Sequence, residues 1–289
     1  MTDGAEQVTL DRDGLSRALS DRETFEATLD ALVDDNRFTI AVVFPLIGAV
    51  TLLASAQGLL PPLLSFNPAL VLFGVFVMRV PLVSGVLPLV DRRGAVALAL
   101  LFAYTYAIEF LGATAGVPYG EFSYNISLGP MLAGTIPVAL PLFFVPLVVN
   151  SYLLCLLLLR GRAASPLVRL PVVAATVVAV DLVLDPAAVA LGFWEFAEGG
   201  FYGVPPMNYA GWVLSAVVST VLIDAAFDRE RLRERVETCP YMLDDMVSFV
   251  LLWGAINAFY QAWVPVAIAA GFGVALLETD RFDFDVVPL

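Results

Sequence analysis

Residues 135–159, TIPVALPLFFVPLVVNSYLLCLLLL, run to the arginine at position 160 without one charged side chain. A helix needs roughly 20 apolar residues to cross a hydrocarbon core about 30 Å thick, and a helix can do so because it satisfies its own backbone polar groups. This stretch is long enough and reads as a membrane span. Stretches of the same kind flank it, at about 38–60, 66–90 and 94–116 on one side and at about 170–191 and 209–227 on the other. One more, 246–277, is longer. It reads as a single helix, tilted or kinked at Pro265, because halves of about 15 residues would each be short for a crossing. Of the 289 residues 60% are hydrophobic, against about 45–50% in soluble domains. The expected fold class is all-α: a polytopic membrane helix bundle of seven transmembrane helices, eight if the last is broken.

All 15 basic residues are arginines. Arg12, Arg17, Arg22 and Arg37 precede the first span; Arg92 and Arg93 lie between the second and third; Arg160, Arg162 and Arg169 between the fourth and fifth; Arg229, Arg231, Arg233 and Arg235 between the sixth and seventh. The intervening loops carry none, so the positive-inside rule places the N-terminus in the cytoplasm of a multi-pass cell-membrane protein and, with seven spans, the C-terminus outside. Residues 1–37 form an acidic cytoplasmic segment, 38–277 the transmembrane domain and 278–289 an acidic tail. The N-terminal segment has no apolar core, so the first span is expected to act as its own insertion signal. Leu15, Leu19, Arg22, Phe25, Leu29 and Leu32 recur near helical spacing there, and Ser20 with Glu23 has the form of a capping box, which predicts a surface helix resting on the membrane or on the loops. A net charge of −13 without lysine suits a protein of a halophilic archaeon, where a charged, well-hydrated surface preserves solubility; an arginine-rich coding bias is the alternative. The acidic surface offers nothing to nucleic acid.

Absences narrow the chemistry further. Without histidine there is no imidazole metal site and no Ser-His-Asp or Cys-His pair, and without lysine a seven-span protein of this kind cannot hold retinal as a Schiff base. Cys155 lies within a span and Cys239 in a loop on the arginine side, so a disulfide is not expected. No GxGxxG or GxxxxGK[ST] pattern occurs. The remaining polar groups are carboxylates, tyrosines, tryptophans, asparagines and arginines.

Ionisable side chains inside spans are costly and therefore informative. They are Arg79, Glu109, Asp181, Asp185 and Asp224. Asp224 sits near a span end and reads as interfacial, whereas Arg79 needs an acidic partner, with Asp181 a candidate. Asp181 and Asp185, four apart, share a helix face. At about 1.5 Å per residue, Asp185 lies roughly 9 Å below the outer end of its span, Glu109 roughly 10 Å and Asp181 roughly 15 Å. Three carboxyl groups thus cluster in depth beneath two loops on the same side.

Those loops and the acids below them form two blocks, 109-EFLGATAGVPYGEFSYNISLGPMLAG-134 and 181-DLVLDPAAVALGFWEFAEGGFYGVPPMNYAGW-212. Glu109, Gly116, Pro118, Tyr119, Gly120, Tyr124, the run Leu128 to Pro130, Asp181, Asp185, Pro186, Trp194, Pro205, Asn208 and Trp212 together resemble the CruF-type carotenoid hydratases, integral membrane proteins of carotenoid biosynthesis. The likeness covers roughly residues 100–225. It implies addition of water to an isolated double bond at the end of a long acyclic carotenoid, for the archaeal branch bisanhydrobacterioruberin to bacterioruberin, with no metal and no cofactor. Glu121 and Glu195 fall outside the family pattern and rank below the three buried acids.

The residues suit that chemistry independently. Hydrating a trisubstituted alkene begins with protonation to a tertiary carbocation, which a desolvated carboxyl group can perform, and a second carboxylate can deprotonate the attacking water. The catalytic candidates are Asp185, Glu109 and Asp181. Aromatic faces from Tyr119, Tyr124, Trp194, Phe201 and Tyr202 stabilise a cation without trapping it, and Asn208, Trp212, Glu121, Glu195 and Arg79 complete the expected substrate site. Expected partners are the carotenoid, water, membrane lipid and other enzymes of carotenoid biosynthesis. Two other classes remain open: an intramembrane prenyltransferase, for which DLVLD supplies one Asp-rich motif where two are needed, and a carboxylate-lined transporter, for which no inverted repeat is visible.

Overall fold

The computed structural model describes residues 21–281 and residue 284. Leu15, Leu19 and Ser20, and most of the acidic tail, lie outside the described residues. From residue 21 the predicted surface helix is present: α1 spans residues 21–35. It buries Val33 and leaves Phe25 and Leu32 exposed. Arg22 pins it down by donating to the carbonyls of Leu87 (2.9 Å) and Val90 (3.1 Å), and Asp30 accepts from Ser84 and from Arg235.

A widened π-helical turn, Thr39–Val43, leads into α2, Phe44–Ala56; Pro45 has no N–H to return to Ala41, so regular helical bonding cannot pass it. Then follow α3, Pro68–Val86, and α4, Arg92–Ala115. Asn67 and Asp91 cap them by accepting from first-turn N–H groups. Helices α5 (Pro141–Leu159), α6 (Pro166–Leu191) and α7 (Pro206–Ala226) each open on a proline, whose missing N–H would have had no partner in the first turn. Gly116 and Gly192 end α4 and α6 at φ 70° and 84°, the left-handed conformation that costs glycine least. Counting the π-helical turn before α2 and the 3-10 turns that follow α3 and α5, these six are long and apolar enough to cross a membrane. Of the predicted span at 135–159 only the part from Pro141 is helical; residues 136–137 belong to a short strand. Helix α5 is the axis of the bundle, buried almost throughout from Phe144 to Leu157.

After a short surface helix, α8 (Arg229–Thr238), the last apolar stretch departs from expectation. It is two helices, α9 (Asp244–Phe259) and α10 (Trp263–Glu278), packed as a hairpin. The break falls at Gln261, which adopts φ 59°, while the Ala262 N–H returns to the Asn257 carbonyl at 2.9 Å. Pro265 makes no kink; it sits in the first turn of α10, where proline is harmless. At 16 residues, each helix is about 24 Å long. The hairpin corrects the placement of the C-terminus. Arg281 donates to the carbonyls of Cys239 (2.9 Å) and Glu237 (3.1 Å), and Arg37 forms an ion pair with Asp244 at 2.9 Å. The chain therefore returns to the end of the bundle where α1, α8 and the arginines gather.

At the opposite end two loops are joined by a small antiparallel sheet of β1 (Phe122–Tyr124) and β4 (Trp194–Phe196), with Ser123 opposite Glu195 and Tyr124 opposite Trp194. A second pair, β2 (Met131–Leu132) with β3 (Ile136–Pro137), stiffens the first loop.

Candidate functional site

Beneath that sheet lies a cavity of about 540 Å³, lined mainly by apolar side chains of α2, α3 and α5 and by aromatics of the loops. Two acids reach its wall, Glu109 from α4 and Asp185 from α6. Asp181, one turn below Asp185, is fully buried and does not line the cavity. Asp181 and Asp185 thus share one face of α6, as their spacing predicts, and Glu109 and Asp185 line the same cavity.

Each acid is held by a named donor. Tyr124 donates its hydroxyl to Glu109. The amide of Asn208, on α7, divides its two hydrogens between Asp181 (2.8 Å) and Asp185 (2.5 Å), clamping the two carboxyl groups side by side. The other oxygen of Asp181 and the hydroxyl of Tyr209 are buried with no hydrogen-bond partner among the described residues. Pro186 follows Asp185 inside α6 and removes the backbone donor that the Leu182 carbonyl would have had; one residue on, the Val183 carbonyl accepts from the side-chain amide of Asn257 on α9 at 2.8 Å.

The roof is aromatic. Tyr119 is slotted between two glycines: a Cβ on Gly211 would stand 2.4 Å from its ring and one on Gly112 2.9 Å. From that slot its hydroxyl meets Ser215 at 2.7 Å, and Ser215 also meets Tyr104 at 3.0 Å. Trp212 stacks on Phe144 at 4.9 Å and tilts against Tyr119 at 5.8 Å. Tyr124 meets Trp194 edge-on at 6.2 Å. Burial pushes the hydroxyls of Tyr119 and Tyr124, in the loop, well above the usual phenol range, so both stay protonated and Tyr124 acts as a donor.

The structure thus gathers Glu109, Asp185, Tyr119, Tyr124, Trp194, Asn208 and Trp212 around one cavity, with Asp181 behind them. It leaves five expected site residues elsewhere. Glu121 and Glu195 are exposed on the outer face of the cover, because strand alternation turns their neighbours inward. Tyr202 is exposed and packs on Phe201, and neither lines the cavity. Arg79 does not pair with Asp181; it forms an ion pair with Asp245 and donates to the Leu142 carbonyl at 3.0 Å, while Asn150 donates to the other Asp245 oxygen at 2.6 Å. Asp224 is also paired, accepting from Arg169 and from Tyr152. Residues missed from sequence include Phe144, Ser215 and Trp253. Ser215 was findable, since Asn208, Trp212 and Ser215 lie at i, i+4 and i+7 on one face of α7.

Residues 66–276 match the family model described as "Carotenoid biosynthesis protein". A curated relative, the "Bisanhydrobacterioruberin hydratase" of Haloarcula japonica, is 63% identical over 260 residues, covering 90% of this chain and 89% of the relative. No solved structure matches.

Proposed function

The chain belongs to the carotenoid biosynthesis protein family, and from that premise we propose that it adds water to the terminal carbon–carbon double bond of a long acyclic carotenoid, converting bisanhydrobacterioruberin to bacterioruberin. Its likeness to the hydratase of a Haloarcula species suits the lysine-free, acidic composition. The cavity supports the reading most directly, being a greasy chamber whose lining carboxyl groups are Glu109 and Asp185. Residues 38–277 act as one transmembrane catalytic unit of the cell membrane, with the arginine-rich end in the cytoplasm and the aromatic cover outside.

Asp185 is the proton donor in this mechanism. Its neighbour Asp181 shares the Asn208 amide, and two adjacent buried carboxylates are costly unless a proton neutralises one of them. Asp185 transfers its proton to the less substituted alkene carbon, leaving a tertiary cation beneath Trp194, Tyr124 and Trp212, whose ring faces stabilise positive charge. Water attacks the cation, and Glu109, oriented by Tyr124, accepts the proton that the water loses. Returning that proton from Glu109 to Asp185 across their shared cavity restores the enzyme. The balance is one alkene and one water to one tertiary alcohol.

Deletion of the gene tests the assignment. Cells without the protein are expected to accumulate a less polar carotenoid, lighter by one water at each unprocessed end, and to regain the hydroxylated pigment when the gene is restored. An unchanged pigment profile would refute the reading.

A further inference from the structure

The cavity extends well beyond the acids. On the side away from Asp185 it runs between α2 and α3, where Ile47, Leu70 and Phe73 line it and are each more than half exposed. A wall made of side chains that face both the chamber and the outside is an opening, and this one faces the zone that hydrocarbon occupies. Phe44 and Phe73 approach across it with ring centroids 6.3 Å apart. Phe44 lies about 18 Å below the outer end of α2, so the opening reaches toward mid-membrane.

Gly74 sits in this wall, and a Cβ built on it would meet nothing within 4 Å. Gly48, facing from α2, has only the Leu252 side chain near, at 3.3 Å. Glycine carries a cost inside a helix, and at Gly74 no close-packed neighbour explains it. What the missing side chain leaves is space within the chamber wall.

We propose that the gap between α2 and α3 is a lateral port through which the long substrate slides in from the lipid, reacting end first, and that Gly74 keeps it wide enough. The inference rests on the function proposed above. A cavity of this size is in the range, about 300–1,000 Å³, that encloses a drug-sized ligand, and a long polyene exceeds it. One end reaches Asp185 and Glu109 while the rest of the chain stays in the port and the bilayer. Each end is therefore a separate visit.

The test uses the full-length protein in lipid and the series Gly74→Ala, Gly74→Leu and Gly74→Phe, all of which favour the helix relative to glycine. Two readouts are taken: hydration, and quenching of tryptophan emission by the bound polyene. Alanine should be close to wild type. Leucine and phenylalanine should lower hydration of the long polyene by roughly tenfold or more, as expected for a side chain occupying the substrate's path, and should lower quenching in parallel. A short acyclic terpenoid bearing the same terminal alkene, which fills only the acid end, should still be hydrated. Unchanged turnover and quenching of the long polyene by Gly74→Phe would overturn the port, as would equal loss of both substrates. If wild type shows quenching that Gly74→Phe abolishes, yet hydrates neither substrate, the port stands and the hydratase reading fails.

Discussion

Glu109 and Asp185 differ in what holds them, one by a tyrosine hydroxyl and the other by half of an asparagine amide, yet both should be indispensable. Asp185→Asn and Glu109→Gln keep the shape and lose the proton chemistry, so hydration should fall by roughly 10²-fold or more at unchanged protein abundance, measured by pigment conversion in membranes. Normal hydration by both variants at normal abundance would make the acids structural. Tyr124→Phe removes one hydrogen bond to a carboxyl group, and its expected loss is smaller, about tenfold. Glu195→Gln, on the outer face of the cover, should have little effect. The three intramembrane acids were legible in the sequence because a charge in a hydrocarbon stretch stands out from its surroundings. The partner of Arg79 was not legible. Asp245 sits in the acidic pair Asp244–Asp245 at the start of α9, which reads as the end of a polar loop, and only the packing of α3 against α9 reveals that it is buried.

The α9–α10 hairpin sets the topology. With it, Arg281 joins the other terminal and loop arginines at one end, so the C-terminal side of α10 should be cytoplasmic. A cysteine at Glu121 should react with an impermeant maleimide in intact cells, and one at the exposed Glu278 only after lysis; the reverse pattern would invert the molecule. The native cysteines should stay silent at neutral pH, since both are buried and burial pushes the Cys239 thiol up. The first six spans were readable from apolar length alone. The hairpin was not, because a left-handed turn at Gln261 has no strong sequence signal, and a proline nearby drew the expected kink to the wrong residue. Arg281 was the available clue: a cation just beyond the last span argues for an even number of crossings.

For the whole molecule, the cover explains why the chain is so apolar yet interrupted by aromatic, glycine-rich loops: two segments some 70 residues apart close over one chamber by pairing β1 with β4. The Asn208 clamp has a consequence for how the protein is made. While α6 is being delivered to the membrane, its two aspartates have no partner, and each adds about 2.5–3.5 kcal/mol to the insertion of a helix if near its centre, against only about 0.3–0.6 kcal/mol recovered per Leu or Val. The partner arrives with the next helix, α7. Biogenesis should therefore treat α6 and α7 as one delivery unit. In a glycosylation-tagged translocation assay, a chain truncated after α6 is expected to integrate that helix less completely than a chain continued through α7, and Asn208→Leu should remove part of the gain. Equal integration in all three would show that the leucines and valines of α6 carry it across unaided, leaving the clamp to matter only once the chamber has formed.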